Sequence, residues 1–120
     1  MNRRLIQMFL IVIALVIAVP GPLVWAHDAP QRIEITAQRF KFDPGEITLK
    51  KGQPVVLVIK SADVAHGLRI RELKVDVKIK AGSSTEVQFT PQTAGDFVGH
   101  CTVFCGSGHS SMMLKFHVVD

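Results

Sequence analysis

After Pro30 the chain alternates apolar and polar residues with a period of two, and no helical period of 3.6 survives. Lys74-Val75-Asp76-Val77-Lys78-Ile79-Lys80 alternates strictly, the pattern of a half-buried strand. Glu86-Val87-Gln88-Phe89 and Leu114-Lys115-Phe116-His117-Val118 do the same. Pro54 to Ile59 is a continuous, largely β-branched run, which predicts a strand covered on both faces. Ile33 to Ala37 and Glu46 to Lys50 predict two more. Turn chemistry separates these runs: Asp43-Pro44-Gly45, Lys51-Gly52, Ala81-Gly82-Ser83-Ser84 and Thr93-Ala94-Gly95. Many short strands with regular Gly and Pro punctuation predict an all-β sandwich or barrel of about seven or eight strands.

The first residues read differently. Met1 to Arg4 is a short basic head, and Leu5 to Val19 is apolar except for Gln7. Pro20, Gly21 and Pro22 break the run, and Val24-Trp25-Ala26 offers a cleavage site before His27. This is the layout of a secretory signal peptide, and the run is short beside the roughly 20 residues of a spanning helix. We therefore expect residues 1–26 to be a signal peptide or membrane anchor and residues 27–120 to be one domain. That domain would work in the periplasm or another extracytoplasmic space.

Composition narrows the function classes. A chain of 120 residues has no room for a second large domain or a large substrate cavity. Its formal charge is +4, from 14 basic and 10 acidic residues. Arg3 and Arg4 account for half of the excess. Arg69, Arg71, Lys74, Lys78 and Lys80 are the densest basic stretch, but they interleave with apolar residues and lack aromatics. They read as the wet face of a strand, so no nucleic-acid partner is expected. No nucleophile with a partnered base, no paired carboxylates and no phosphate loop are present, so the chain is not expected to be an enzyme by itself.

The chemistry concentrates near the C-terminus. The chain has two cysteines, within Cys101-Thr-Val-Phe-Cys105-Gly-Ser-Gly-His109-Ser-Ser-Met112. A disulfide is the plain reading of two cysteines in an exported chain, but it would close a very short loop and constrain little. Two thiolates, an imidazole and a thioether in one glycine-rich loop between strands form instead a soft donor set, of the kind that selects copper over magnesium, calcium or manganese. A second imidazole would have to come from elsewhere, and His66 in Asp63-Val64-Ala65-His66-Gly67 is the candidate. His100 precedes Cys101 and should point to the opposite face of its strand. His117 should be solvated. His27 could chelate copper as a new N-terminus, but nothing else supports it. Of the adjacent methionines, Met112 has the ligand spacing, and Met113 is expected in the core.

The strand pattern with these residues resembles a cupredoxin, a Greek-key β-sandwich. More narrowly, Cys-x3-Cys-x3-His-x2-Met with a distant His is similar to the binuclear copper (CuA) domain of cytochrome c oxidase subunit II and of nitrous oxide reductase. The resemblance covers about Ile33 to Val119. It implies two copper ions per chain, with Cys101 and Cys105 bridging and His66 and His109 each capping one ion. Met112 would be a weak axial ligand and Val103 would supply a backbone carbonyl, a role that needs no particular side chain. It implies electron transfer with a redox donor and acceptor, such as a c-type cytochrome or a membrane oxidase, and possible tethering to a membrane. Oxidase subunits have Glu at the position of Val103, and a Trp-rich stretch where this chain reads Arg39-Phe40-Lys41-Phe42-Asp43-Pro44. Two other readings stay open: a mononuclear blue-copper site of Cys105, His109, Met112 and His66, and a copper carrier.

Overall fold

The computed structural model describes residues 19–23 and 29–120. The expected export segment and the His27 terminus fall almost wholly outside these residues. Among the described residues, no helix is long and apolar enough to cross a membrane.

Nine strands follow one another: β1 (Gln31–Gln38), β2 (Lys41–Asp43), β3 (Glu46–Lys50), β4 (Val55–Ser61), β5 (His66–Ile70), β6 (Val75–Ile79), β7 (Ser84–Phe89), β8 (Gly95–His100) and β9 (Met113–Val119). They form two sheets, one ordered β2-β1-β4-β7 and the other β3-β9-β8-β5-β6. Two pairings are parallel, β1 with β4 and β3 with β9, and the rest are antiparallel. The helical content among the described residues is one 3₁₀ turn, His109–Ser111.

The alternation read from the sequence becomes the partition between core and solvent. Ile47 and Leu49 of β3, Val75 and Ile79 of β6, and Leu114, Phe116 and Val118 of β9 point inward and are buried. They meet Ile35, Val55, Leu57, Ile59, Leu68 and Ile70 in one core between the sheets. Each fully buried Leu or Ile there contributes roughly 1.5–3 kcal/mol relative to exposure, which is what holds the two sheets together.

Three expectations are corrected. Pro54 to Ile59 is covered on one face only: Val55, Leu57 and Ile59 are buried, while Val56 and Val58 on the outer face are half-buried. Its apolar outer face reflects its central position between β1 and β7, where neighbouring side chains shield it. The basic stretch spans a hairpin rather than one strand. Arg69 lies on β5 and Lys78 on β6, with Arg71 and Lys74 in the turn between them. Met113 is 43% exposed rather than core. It is the first residue of β9, and strand parity sends its side chain opposite to the buried Met112 and Leu114.

Candidate metal centre

The six residues singled out in the sequence converge at one end of the sandwich. His66 opens β5, Cys101 follows the last residue of β8, and Met112 immediately precedes β9. The intervening loop is closed where the Cys101 N–H donates to the Met112 carbonyl at 3.1 Å. Within it the 3₁₀ turn carries His109, its N–H donating to the Gly106 carbonyl at 3.1 Å. Two strand ends thus hold the loop at both margins, and His66 arrives on the neighbouring strand of the same sheet.

Donor atoms of His66, Cys101 and Cys105 all lie within 4.8 Å of one another, and all three residues are buried. Both cysteines are free thiols, not the disulfide of the plain reading. Each thiol has its own imidazole. Cys101 Sγ is 3.9 Å from His66 Nδ1, and Cys105 Sγ is 3.8 Å from His109 Nδ1. Each also has a weaker neighbour: the Val103 carbonyl oxygen 3.3 Å from Cys101 Sγ, and Met112 Sδ 3.8 Å from Cys105 Sγ. The donors therefore divide into two similar sets, one built on Cys101 and one on Cys105.

Three neighbours of the cluster carried no signal in the sequence. The first is Asp63, whose Oδ1 accepts from His66 Nε2–H at 2.7 Å. That bond holds the ring at Nε2 and turns Nδ1 toward the thiols, the orientation a metal-ligating histidine needs. Burial works to raise the Asp63 pKa, but bonds from the Arg39 N–H, His66 and the Val64 N–H outweigh it and lower it to about 2. The carboxylate is thus charged at any working pH. The second neighbour is Arg39, whose Nε donates to the Cys105 carbonyl at 2.8 Å. The third is Phe104, which is 78% exposed and lies over His109 with ring centroids 5.6 Å apart.

Backbone approach is tight under the cluster. A Cβ on Gly67 would run into Thr102 Oγ1 and stand 3.3 Å from the Val103 side chain and backbone N. Glycine after His66 is what lets the Cys101–Val103 segment settle against β5. His100 and His117 are not drawn in. His100 is exposed, as strand parity predicted. His117 binds Asp96 at 2.6 Å on the outer face of its sheet.

The donor set fits copper. Thiolates, imidazole nitrogens and a thioether are soft or borderline ligands, and among the described residues no carboxylate oxygen joins the His66, Cys101 and Cys105 cluster. Burial pushes the Cys105 thiol up, and the neighbouring Cys101 adds to the rise through its charge and a hydrogen bond. Metal binding would therefore have to release thiol protons, and affinity should rise with pH.

The chain belongs to the cupredoxin-like family, whose domain model matches residues 7–111. It is 29% identical over 80 residues to cytochrome c oxidase subunit 2 of Thermus thermophilus, covering 67% of this chain and 59% of that protein. It is 31% identical over 90 residues to nitrous-oxide reductase of Cupriavidus necator, covering 72% of this chain and 14% of that enzyme. In fold it is similar to the periplasmic domain of subunit II of cytochrome oxidase from Bradyrhizobium japonicum, with TM-score 0.70 and 20% identity over 78% of this chain and 86% of that one. The chain spans less than two thirds of the length of these curated relatives, 59% of the one and 14% of the other. It is thus a cupredoxin domain resembling the copper domain of oxidase subunit II, with a buried His/Cys/Cys cluster suited to copper.

Proposed function

We propose that this chain is an extracytoplasmic electron-transfer domain with a binuclear copper centre of the CuA type. Cys101 and Cys105 would be shared by both ions, His66 and His109 would each serve one, and Met112 and the Val103 carbonyl would be weak outer ligands. Such a centre takes up and returns one electron at a time. The observation that carries the reading is the pairing of each thiol with its own imidazole, at 3.9 and 3.8 Å. A mononuclear site on Cys105 would leave Cys101 as a spare, yet Cys101 is the thiol facing His66.

The chain's own residues supply what electron transfer needs. Strand ends and the Asp63 bond fix the donors beforehand, so little rearrangement accompanies a change of charge. Burial of both cysteines keeps water and oxidants from the sulfurs. Phe104 and His109 bring the cluster to the surface, where a donor or acceptor could approach. A c-type cytochrome or a membrane oxidase fits this role, and residues 1–26 would export or tether the domain.

The test is a copper count with paramagnetic resonance on the purified chain. One electron shared by two copper nuclei gives seven hyperfine lines, and one copper gives four. The wild type should bind two coppers with a shared signal, and Cys101→Ser at most one with a localised signal. Serine oxygen is harder and far less acidic than the thiol it replaces. Cys105→Ser should lose more. One copper with four lines, unchanged in Cys101→Ser, would establish the mononuclear site instead.

A further inference from the structure

The β1–β2 turn belongs to the opposite sheet from every donor-bearing strand, yet it touches both halves of the cluster. Arg39 does so with two different groups. Its backbone N–H donates to Asp63 Oδ2 at 2.8 Å, while Oδ1 of the same carboxylate accepts from His66. Its side-chain Nε donates to the Cys105 carbonyl at 2.8 Å, 66 residues away in sequence. The next residue, Phe40, fills the space beside the loop glycines. A Cβ on Gly108 would run into the Phe40 ring, and one on Gly106 would stand 2.8 Å from the same ring.

We propose that Arg39 is a positioning residue that clamps the two halves of the metal centre to each other across the sandwich. Its backbone fixes the His66 half through Asp63, and its guanidinium fixes the Cys105–His109–Met112 half. The loop from Cys105 to Gly108 makes few bonds that could replace this one. Its hydrogen bonds to the short 3₁₀ turn are local ones, His109 N–H to the Gly106 carbonyl and both the N–H and the hydroxyl of Ser111 to the Gly108 carbonyl. A charged donor held on a rigid strand turn is therefore the loop's main tie to the opposite sheet. Lysine cannot imitate it, because its ammonium lies beyond the position of Nε and its geometry is not planar. The consequence for copper rests on the binuclear reading; the clamp itself is a property of the metal-free chain.

The two arms can be separated. A side-chain substitution removes the guanidinium but keeps the backbone N–H, so Arg39→Met, which keeps the apolar stem and has no side-chain donor, should loosen only the Cys105 half. The experiment is amide hydrogen exchange, read residue by residue on the metal-free full chain. In Arg39→Met, exchange at His109 and Ser111 should quicken about tenfold, the order expected for losing a hydrogen bond from a charged donor. Exchange at His66, Leu68 and Leu57 should stay within about twofold of wild type. Arg39→Lys should recover little of the loss. Arg71→Gln, in the turn between β5 and β6, serves as the control and should leave the His109 and Ser111 rates unchanged. Unchanged rates at His109 and Ser111 in Arg39→Met would overturn the clamp. An equal rise across all five amides would overturn it too, since Arg39 would then be general packing.

Copper loading of the same variant separates this proposal from the one it rests on. If the wild type binds two coppers, Arg39→Met should still bind two, with the shared signal replaced by unequal sharing. A wild type with one copper would overturn the binuclear reading and leave the exchange result to decide the clamp.

Discussion

The two imidazoles of the centre stand in opposite surroundings. His66 is 0% exposed, set on a strand and held at Nε2 by a charged carboxylate. His109 is half-buried, set on a three-residue 3₁₀ turn, and its ring neighbour is the exposed Phe104. The His66 half is therefore part of the core and is organised by folding alone. The His109 half is organised by its loop and by what packs against that loop. Rigidity on one side and access on the other would suit the proposed electron-transfer centre, which has to hold its donors still and yet be reached by a partner.

The largest expected effect tests that contrast directly. His66→Ala should lower unfolding stability by about 2–4 kcal/mol, because it empties a fully buried site and removes the side-chain partner of Asp63. His109→Ala should cost less than about 1 kcal/mol, since its ring is half in solvent. Denaturant unfolding of the metal-free variants checks both, and equal losses would erase the distinction. Asp63→Asn comes next. The amide keeps the size but loses the charge that orients His66, so copper affinity measured against a competing chelator should fall roughly tenfold. An unchanged affinity would mean that Asp63 only shapes its turn.

On the exposed side, Phe104→Ala should change stability by less than about 0.5 kcal/mol. If Phe104 covers the route between His109 and a partner, electron self-exchange measured on the loaded protein should nonetheless slow. An unchanged rate would place the point of contact elsewhere.

The smallest effect lies away from both halves, at His117. Its hydrogen bond to Asp96 raises its pKa above the ordinary 6.5, with Glu46 adding to the rise against a small opposing cost of burial. A raised pKa in the folded state contributes stability that is fully present below pH 6.5 and is lost as pH rises through the folded value. His117→Gln should flatten that slope near neutrality while leaving copper content unchanged. Melting temperatures measured across this range check it, and an unaltered slope would remove His117 from the account.

The sequence by itself determined the class of fold and the string of donors. Period-two alternation in Val75–Ile79 and Leu114–Val118 dictates one buried face per strand wherever those strands pair. Cys101, Cys105, His109 and Met112 are legible because a short loop keeps neighbours in sequence close in space. Met113 was misread for the complementary reason: its hydrophobicity said core, and the parity of the strand it begins overruled that. The tertiary structure alone decided what sequence distance hides. Asp63 meets Arg39 across 24 residues, and Arg39 meets Cys105 across 66. Neither residue has a pattern of its own, since a lone charged side chain near a turn looks solvated until the opposite sheet is laid over it. Only the packing of β1 and β4 against β5, β8 and β9 brings that turn to the cluster, because contacts between sheets depend on how layers stack and not on the period of any one strand.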